Sequence, residues 1–214
     1  MLTNFIEELK KSKFYKNIVN QQNIILLYVS GSRLIDVADD KSDYDLVAIV
    51  DENIEQESDE YLTYNGKKVH WYYVPLNNFL IAEGKHLIQS YGAVLFRYIT
   101  EEYVIFVNPK YDSVCKLLIE NKDLIAKMGV KKVCKNYEDL ISVIAYSQSI
   151  DPMYHSKILS HLCVASLVLT GESITPQIRA MLLQLKRIRW QPVSDEAKAW
   201  CIERVAILRH SNIN

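Results

Sequence analysis

The chain has 214 residues, 49% of them hydrophobic and 24% charged, with a formal net charge of -1. Such a balance fits one large or two small globular domains with a real core. It excludes a global basic field that would draw the chain to nucleic acid or anionic lipid. No apolar run approaches the length of a membrane span, and Met1-Leu2-Thr3-Asn4 leads into an acidic amphipathic stretch rather than a secretory leader. A cytoplasmic location is expected. Cys115, Cys134, Cys163 and Cys201 lack the CxxC spacing of a zinc site and read as reduced thiols packed on helices.

In chain order, residues 4–19 predict a helix, with Asn4 as its cap and Glu7 completing a capping box. The continuous apolar run over 24–29 predicts a strand buried on both faces, which Ser30-Gly31-Ser32 ends, with a short helix to follow. A second strand is predicted over 43–50, and an exposed acidic loop over 51–60. Residues 61–64 and 69–74 flank Asn65-Gly66, a dipeptide suited to a turn whose two central positions both need positive φ, so they predict a hairpin that Pro75 closes. Residues 76–83 and 86–99 read as helices and 103–107 as a short strand.

Beyond Asn108-Pro109 the strand signals stop. Helices are predicted over 111–127, 131–148, 153–169, 176–189 and 195–210, with Thr175 and Ser194 as starts and Gly171 as a stop. The expected organisation is an α/β (α+β) domain over 1–110 and a helical domain over 111–214.

The chemistry concentrates in GSRLIDVADDKSDYDL, residues 31–46. Residues two apart on a strand share a face, so Asp43 and Asp45 present neighbouring carboxylates while Tyr44 points away. Two carboxylates so close repel unless a cation lies between them. Hard cations such as Mg²⁺ take oxygen ligands and share them with substrate phosphates. Gly31 lets a phosphate approach the backbone, Ser32 offers hydroxyl and amide donors, and a helix starting there would add its dipole.

This string resembles the hallmark of the DNA polymerase beta-type nucleotidyltransferases: Gly-Ser, a spacer, then Ser-Asp-x-Asp-Leu opening a strand. The spacing from Gly31 to Asp43 is similar to that of the small stand-alone members. The resemblance covers roughly residues 24–75. It implies a mixed sheet flanked by helices, a two-metal Mg²⁺ site, and transfer of a nucleoside monophosphate from a nucleoside triphosphate such as ATP to a hydroxyl acceptor. It further implies metal ligands at Asp43 and Asp45 and phosphate contacts at Gly31 and Ser32, with Arg33, Ser42 and Lys157 as further nucleotide-binding residues. Lys157 lies, with His155, Ser156 and His161, on a predicted helix of the kind that completes the nucleotide pocket in some relatives. The acceptor is a small molecule, an RNA end or a protein side chain.

The chain departs from the family pattern in three places. Asp36 stands where a Gly is frequent and Asp40 where a Pro is frequent; both affect the loop rather than the ligands. The third departure touches the chemistry. The predicted strand 69–74 carries no Asp or Glu, and His70 stands where a third carboxylate is expected as base or ligand. If that strand lies beside 43–50, His70 falls near the Asp pair. Two readings follow: an enzyme in which His70 serves as base or ligand, or a catalytically impaired nucleotide-binding or regulatory module of toxin–antitoxin or phage-defence type.

Other features read as ordinary structure. The Arg204 and His210 pair is similar in spacing to that of HEPN-type ribonucleases, but six residues along a helix do not share one face. Lys131, Lys132 and Lys135, and Lys186, Arg187 and Arg189, read as solvated helix faces or, if both clusters lie beside the cleft, as guides for an RNA or triphosphate. Tyr61, Tyr64, Trp71, Tyr72 and Tyr73 suit hairpin packing or the stacking of a base.

Overall fold

A run of seven residues whose polar side-chain groups are only the Tyr28 phenol and the final Ser30 hydroxyl forms the centre of the molecule. Ile24–Ser30 (β1) is buried throughout, as a strand with neighbours on both edges and layers on both faces must be. In the computed structural model, which describes residues 2–20, 23–34, 42–51, 58–81, 99–128 and 173–187 and single positions at 38, 195, 196, 199 and 203, β1 pairs antiparallel with Tyr44–Val50 (β2) and with Val104–Val107 (β5). Strand β2 pairs in parallel with Lys67–Pro75 (β4), which pairs antiparallel with Ser58–Tyr64 (β3). The five-stranded mixed sheet has the order β3-β4-β2-β1-β5. With helices packed on the sheet, this is the mixed α+β class expected.

The Asn65-Gly66 hairpin forms as read: φ is 48° at Asn65 and 73° at Gly66, the positive pair that a two-residue hairpin turn requires. Strand β3 starts earlier than expected. Ser58, Asp59 and Glu60, assigned from sequence to an exposed loop, pair with Tyr73, Tyr72 and Trp71. An edge strand accommodates such charges, and they blunt its pairing with other chains.

Side-chain alternation divides the sheet into two faces. On one, Leu27, Val29, Tyr44, Leu46, Val69 and Trp71 pack against Phe5 and Leu9 of Leu2–Lys11 (α1) and Ile18 of Lys13–Val19 (α2). On the other, Val47, Ile49, Tyr72 and Val74 pack against Phe79 of Leu76–Ile81 (α3), Cys115 and Leu118 of Asp112–Glu120 (α4), and Ile125. Helices as short as α1 and α2 do not hold in water by propensity; fully buried Phe5 and Leu9 each contribute on the order of 2–3 kcal/mol of transfer free energy.

The helix expected over 4–19 is two helices. The Ser12 hydroxyl donates to the Leu9 carbonyl (2.6 Å) and accepts from the Tyr15 amide (2.9 Å), ending α1 and capping α2. Asn4 is the third residue of α1, not its cap. The helix expected over 111–127 is likewise interrupted: α4 ends before a turn at Asn121, and helix resumes over 122–128. Asn108 fastens this crossing, its amide side chain donating to the Ile24 carbonyl (2.7 Å) and its backbone N–H to the Ile25 carbonyl (3.0 Å). Pro176–Arg187 (α5) forms as predicted, and the Thr175 hydroxyl accepts from the Ile178 amide at 3.3 Å.

Cys115 is a free, buried thiol donating to the Ile25 carbonyl, and burial pushes its pKa up. Cys134, Cys163 and Cys201, the helices expected over 131–148 and 153–169, that expected over 86–99 except its last residue, and most of 195–210 lie outside the described residues. Among the described residues no helix is long and apolar enough to cross a membrane.

Candidate metal and nucleotide site

Strand register, more than local sequence, assembles the site. Ser30 at the end of β1 is opposite Asp45 on β2, and Asp45 is opposite His70 on β4. Asp45, Val47 and Ile49 on β2 share a face with His70, Tyr72 and Val74 on β4. The apolar members of that set are covered by α3 and α4. The polar pair stands at the end of the strands where β1 gives way to the Gly31 turn.

Gly31 has φ of +80° and opens the single 3-10 turn Gly31–Arg33. A Cβ at this position would lie 1.9 Å from Asp45 Oδ2 and 2.7 Å from its Cγ. Both the left-handed backbone and the carboxylate against it require glycine here. The short helix expected after Ser32 is one 3-10 turn over Gly31–Arg33, in which Ser32 is half-buried.

Asp43 lies immediately before β2. Arg33 holds it from behind: Nε donates to the Asp43 carbonyl at 2.9 Å, and a terminal guanidinium nitrogen donates to the Ser42 carbonyl. The same guanidinium lies over the Tyr44 ring, 3.9 Å from its centroid. Arg33 and Ser42, expected as nucleotide contacts, are therefore joined to one another as a brace on the loop that delivers Asp43.

His70 is almost fully buried, its side chain 6% exposed, against 14% for Asp45; His70 Nδ1 lies 3.5 Å from Asp45 Oδ1. Its ring stacks on Tyr61, its cross-strand partner, at 3.8 Å and 17°, and meets Tyr72 at 3.8 Å and 46°. Tyr61 is itself 68% exposed. One donor atom from each of Asp43, Asp45 and His70 lies within 4.8 Å of the others.

The histidine clamp was not read from the sequence, although its signal was present. A turn at Asn65-Gly66 fixes the hairpin register, and counting back from Tyr64 opposite Lys67 sets Tyr61 opposite His70. The bracing by Arg33 leaves no such mark. Lys157, with His155, Ser156 and His161, and Arg204 with His210, lie outside the described residues.

No protein-family model matches this chain, and no curated protein does. A solved structure described as a nucleotidyltransferase-like protein from Exiguobacterium sibiricum 255-15 is similar at 16% sequence identity and a TM-score of 0.37, over 96% of this chain and 73% of that one.

The donor set itself is chemically definite. The Asp43 and Asp45 carboxylates, just before and on β2, and the His70 imidazole on β4 offer two oxygens and one nitrogen to a common point. That composition fits a divalent cation, whose charge would offset the repulsion between the two neighbouring carboxylates.

Proposed function

We propose that the protein is a metal-dependent nucleotidyltransferase, moving a nucleoside monophosphate from a nucleoside triphosphate to a hydroxyl acceptor. The observation that carries this reading is the convergence of Asp43, Asp45 and His70 donor atoms within 4.8 Å, with Asp45 packed against Gly31. Asp43 and Asp45 hold the divalent cations, for which the family resemblance implies two Mg²⁺. Bound cations supply positive charge to the triphosphate and the departing pyrophosphate. Gly31 admits a phosphate to the backbone and Ser32 donates to its oxygens; Arg33 keeps Asp43 in place through its hydrogen bonds to the Asp43 and Ser42 carbonyls. Lys157 is proposed to reach the triphosphate from the helical half. The acceptor is a small molecule, an RNA end or a protein side chain.

A second reading has its own support. His70 brings no negative charge, and its ring packs against Tyr61 and Tyr72 where the resemblance implies a third carboxylate. A site with that charge can bind nucleotide without turning it over and serve as a regulatory module. Incubation with each labelled triphosphate and a divalent cation, with and without cell extract, separates the two. Label transferred to an acceptor supports the enzyme, retention without transfer supports the module, and absence of both contradicts the site.

A further inference from the structure

We infer that this centre is built for a first-row transition dication in preference to Mg²⁺, with His70 as its nitrogen ligand beside Asp43 and Asp45. The inference rests on the proposed metal site and names the class of ion it takes.

Spacing is the first support. Ligand atoms bound about 2.0–2.2 Å from one ion stand roughly 3–3.5 Å apart. His70 Nδ1 and Asp45 Oδ1 are 3.5 Å apart, so both can reach a single ion with little movement.

Orientation is the second. The imidazole is nine-tenths buried, stacks on Tyr61 and meets Tyr72 at a tilt of 46°, with Tyr61 set opposite it by the hairpin register. These rings set its direction before any ion arrives.

Ligand chemistry then decides between ions. Mg²⁺ demands oxygen ligands and near-ideal octahedral geometry. Affinity for a nitrogen ligand rises from Mn²⁺ through Co²⁺ to Ni²⁺ and Cu²⁺ and falls again at Zn²⁺, and imidazole suits these later ions well. Replacing a third carboxylate by His70 removes one negative charge and one oxygen donor. Both changes weaken Mg²⁺, whereas the nitrogen partly compensates a transition ion.

The test is calorimetric titration of the full chain, without nucleotide, with Mg²⁺, Mn²⁺ and Co²⁺, in the parent, His70→Asp and His70→Asn. Co²⁺ is expected to bind at least about tenfold tighter than Mg²⁺ in the parent. His70→Asp should narrow that ratio by tightening Mg²⁺ and weakening Co²⁺; His70→Asn, close to the imidazole in size and neutral, should weaken Co²⁺ and leave Mg²⁺ little changed. Circular dichroism establishes that each variant is folded, and His70→Asn carries the test if the charged variant is not. Electron spin-echo spectroscopy of the Mn²⁺-loaded parent should show nitrogen hyperfine coupling, lost in both variants. A parent that binds Mg²⁺ as tightly as Co²⁺, or a Mn²⁺ signal without nitrogen coupling, overturns the inference. If Asp43→Asn with Asp45→Asn still abolishes Mg²⁺ binding in that case, the site itself stands. A parent that binds none of the three ions overturns both.

Discussion

Gly31→Ala is the most searching single substitution, because two independent constraints meet at this Cα. The first is conformational: an L-residue held at the observed φ of +80° costs about 1–2 kcal/mol relative to glycine. The second is steric. The new Cβ would stand 1.9 Å from Asp45 Oδ2 and 2.9 Å from Asp45 Cβ, so the carboxylate must turn away and the strand give slightly, which for overpacking costs about 1–3 kcal/mol. Together they predict a loss of about 2–5 kcal/mol, and in a chain of this size a fall in Tm of about 10 °C. Calorimetric melting reads this directly, and comparison in an Asp45→Gly background separates the two parts. There the steric part disappears and about 1–2 kcal/mol of backbone cost remains. Since Asp45 also approaches His70, Gly31→Ala should abolish divalent-cation binding even below its melting temperature. A substitution that costs less than about 1 kcal/mol, or costs the same in both backgrounds, would refute the close approach of Gly31 to the carboxylate.

Arg33→Ala removes two charge-assisted hydrogen bonds to the carbonyls of Ser42 and Asp43; cation affinity should fall about tenfold while the fold persists, such bonds being worth about 1.5–3 kcal/mol before solvent screening. Unchanged affinity would remove Arg33 from its bracing role. Ser32→Ala should weaken nucleotide binding by about 1–3 kcal/mol and leave binding of the cation alone unaltered, a split that paired titrations resolve. Tyr73 is pushed from 10.0 up to about 12, first by burial and then by Glu60. The folded chain therefore keeps this proton where the unfolded chain loses it, so the associated stability is fully present below pH 10 and is lost as pH rises toward 12. Tyr73→Phe should flatten the alkaline fall in denaturant midpoint, and an unchanged slope would contradict the assignment.

What could be read from sequence depended on how local its cause is. The burial of β1 and the Asn65-Gly66 turn follow from a few adjacent residues, and both formed as expected. The Asp-x-Asp pair was legible for the same reason. His70 became interpretable only through the parallel pairing of β4 with β2, a register set by tertiary packing across a span that includes the hairpin. Two boundaries were misread because propensity was overruled. Ser12 looked like one more polar position in an amphipathic helix, yet its hydroxyl competes for the backbone and splits it. Residues 58–60 looked too acidic for a sheet, yet an edge position tolerates them. The contact between Gly31 and Asp45, and the grip of Arg33 on two carbonyls, are side-chain geometry and leave no periodic trace.

The most direct measurement is titration of a nucleoside triphosphate with a divalent cation into the parent chain and into Asp43→Asn with Asp45→Asn. Removing both charges takes the like-charge repulsion out of the site, so the variant should remain folded, with a melting temperature at or above that of the parent. Cation-dependent triphosphate binding in the parent, and its complete loss in a folded double variant, is the predicted result. Equal binding in the two proteins would place the nucleotide elsewhere and contradict the account.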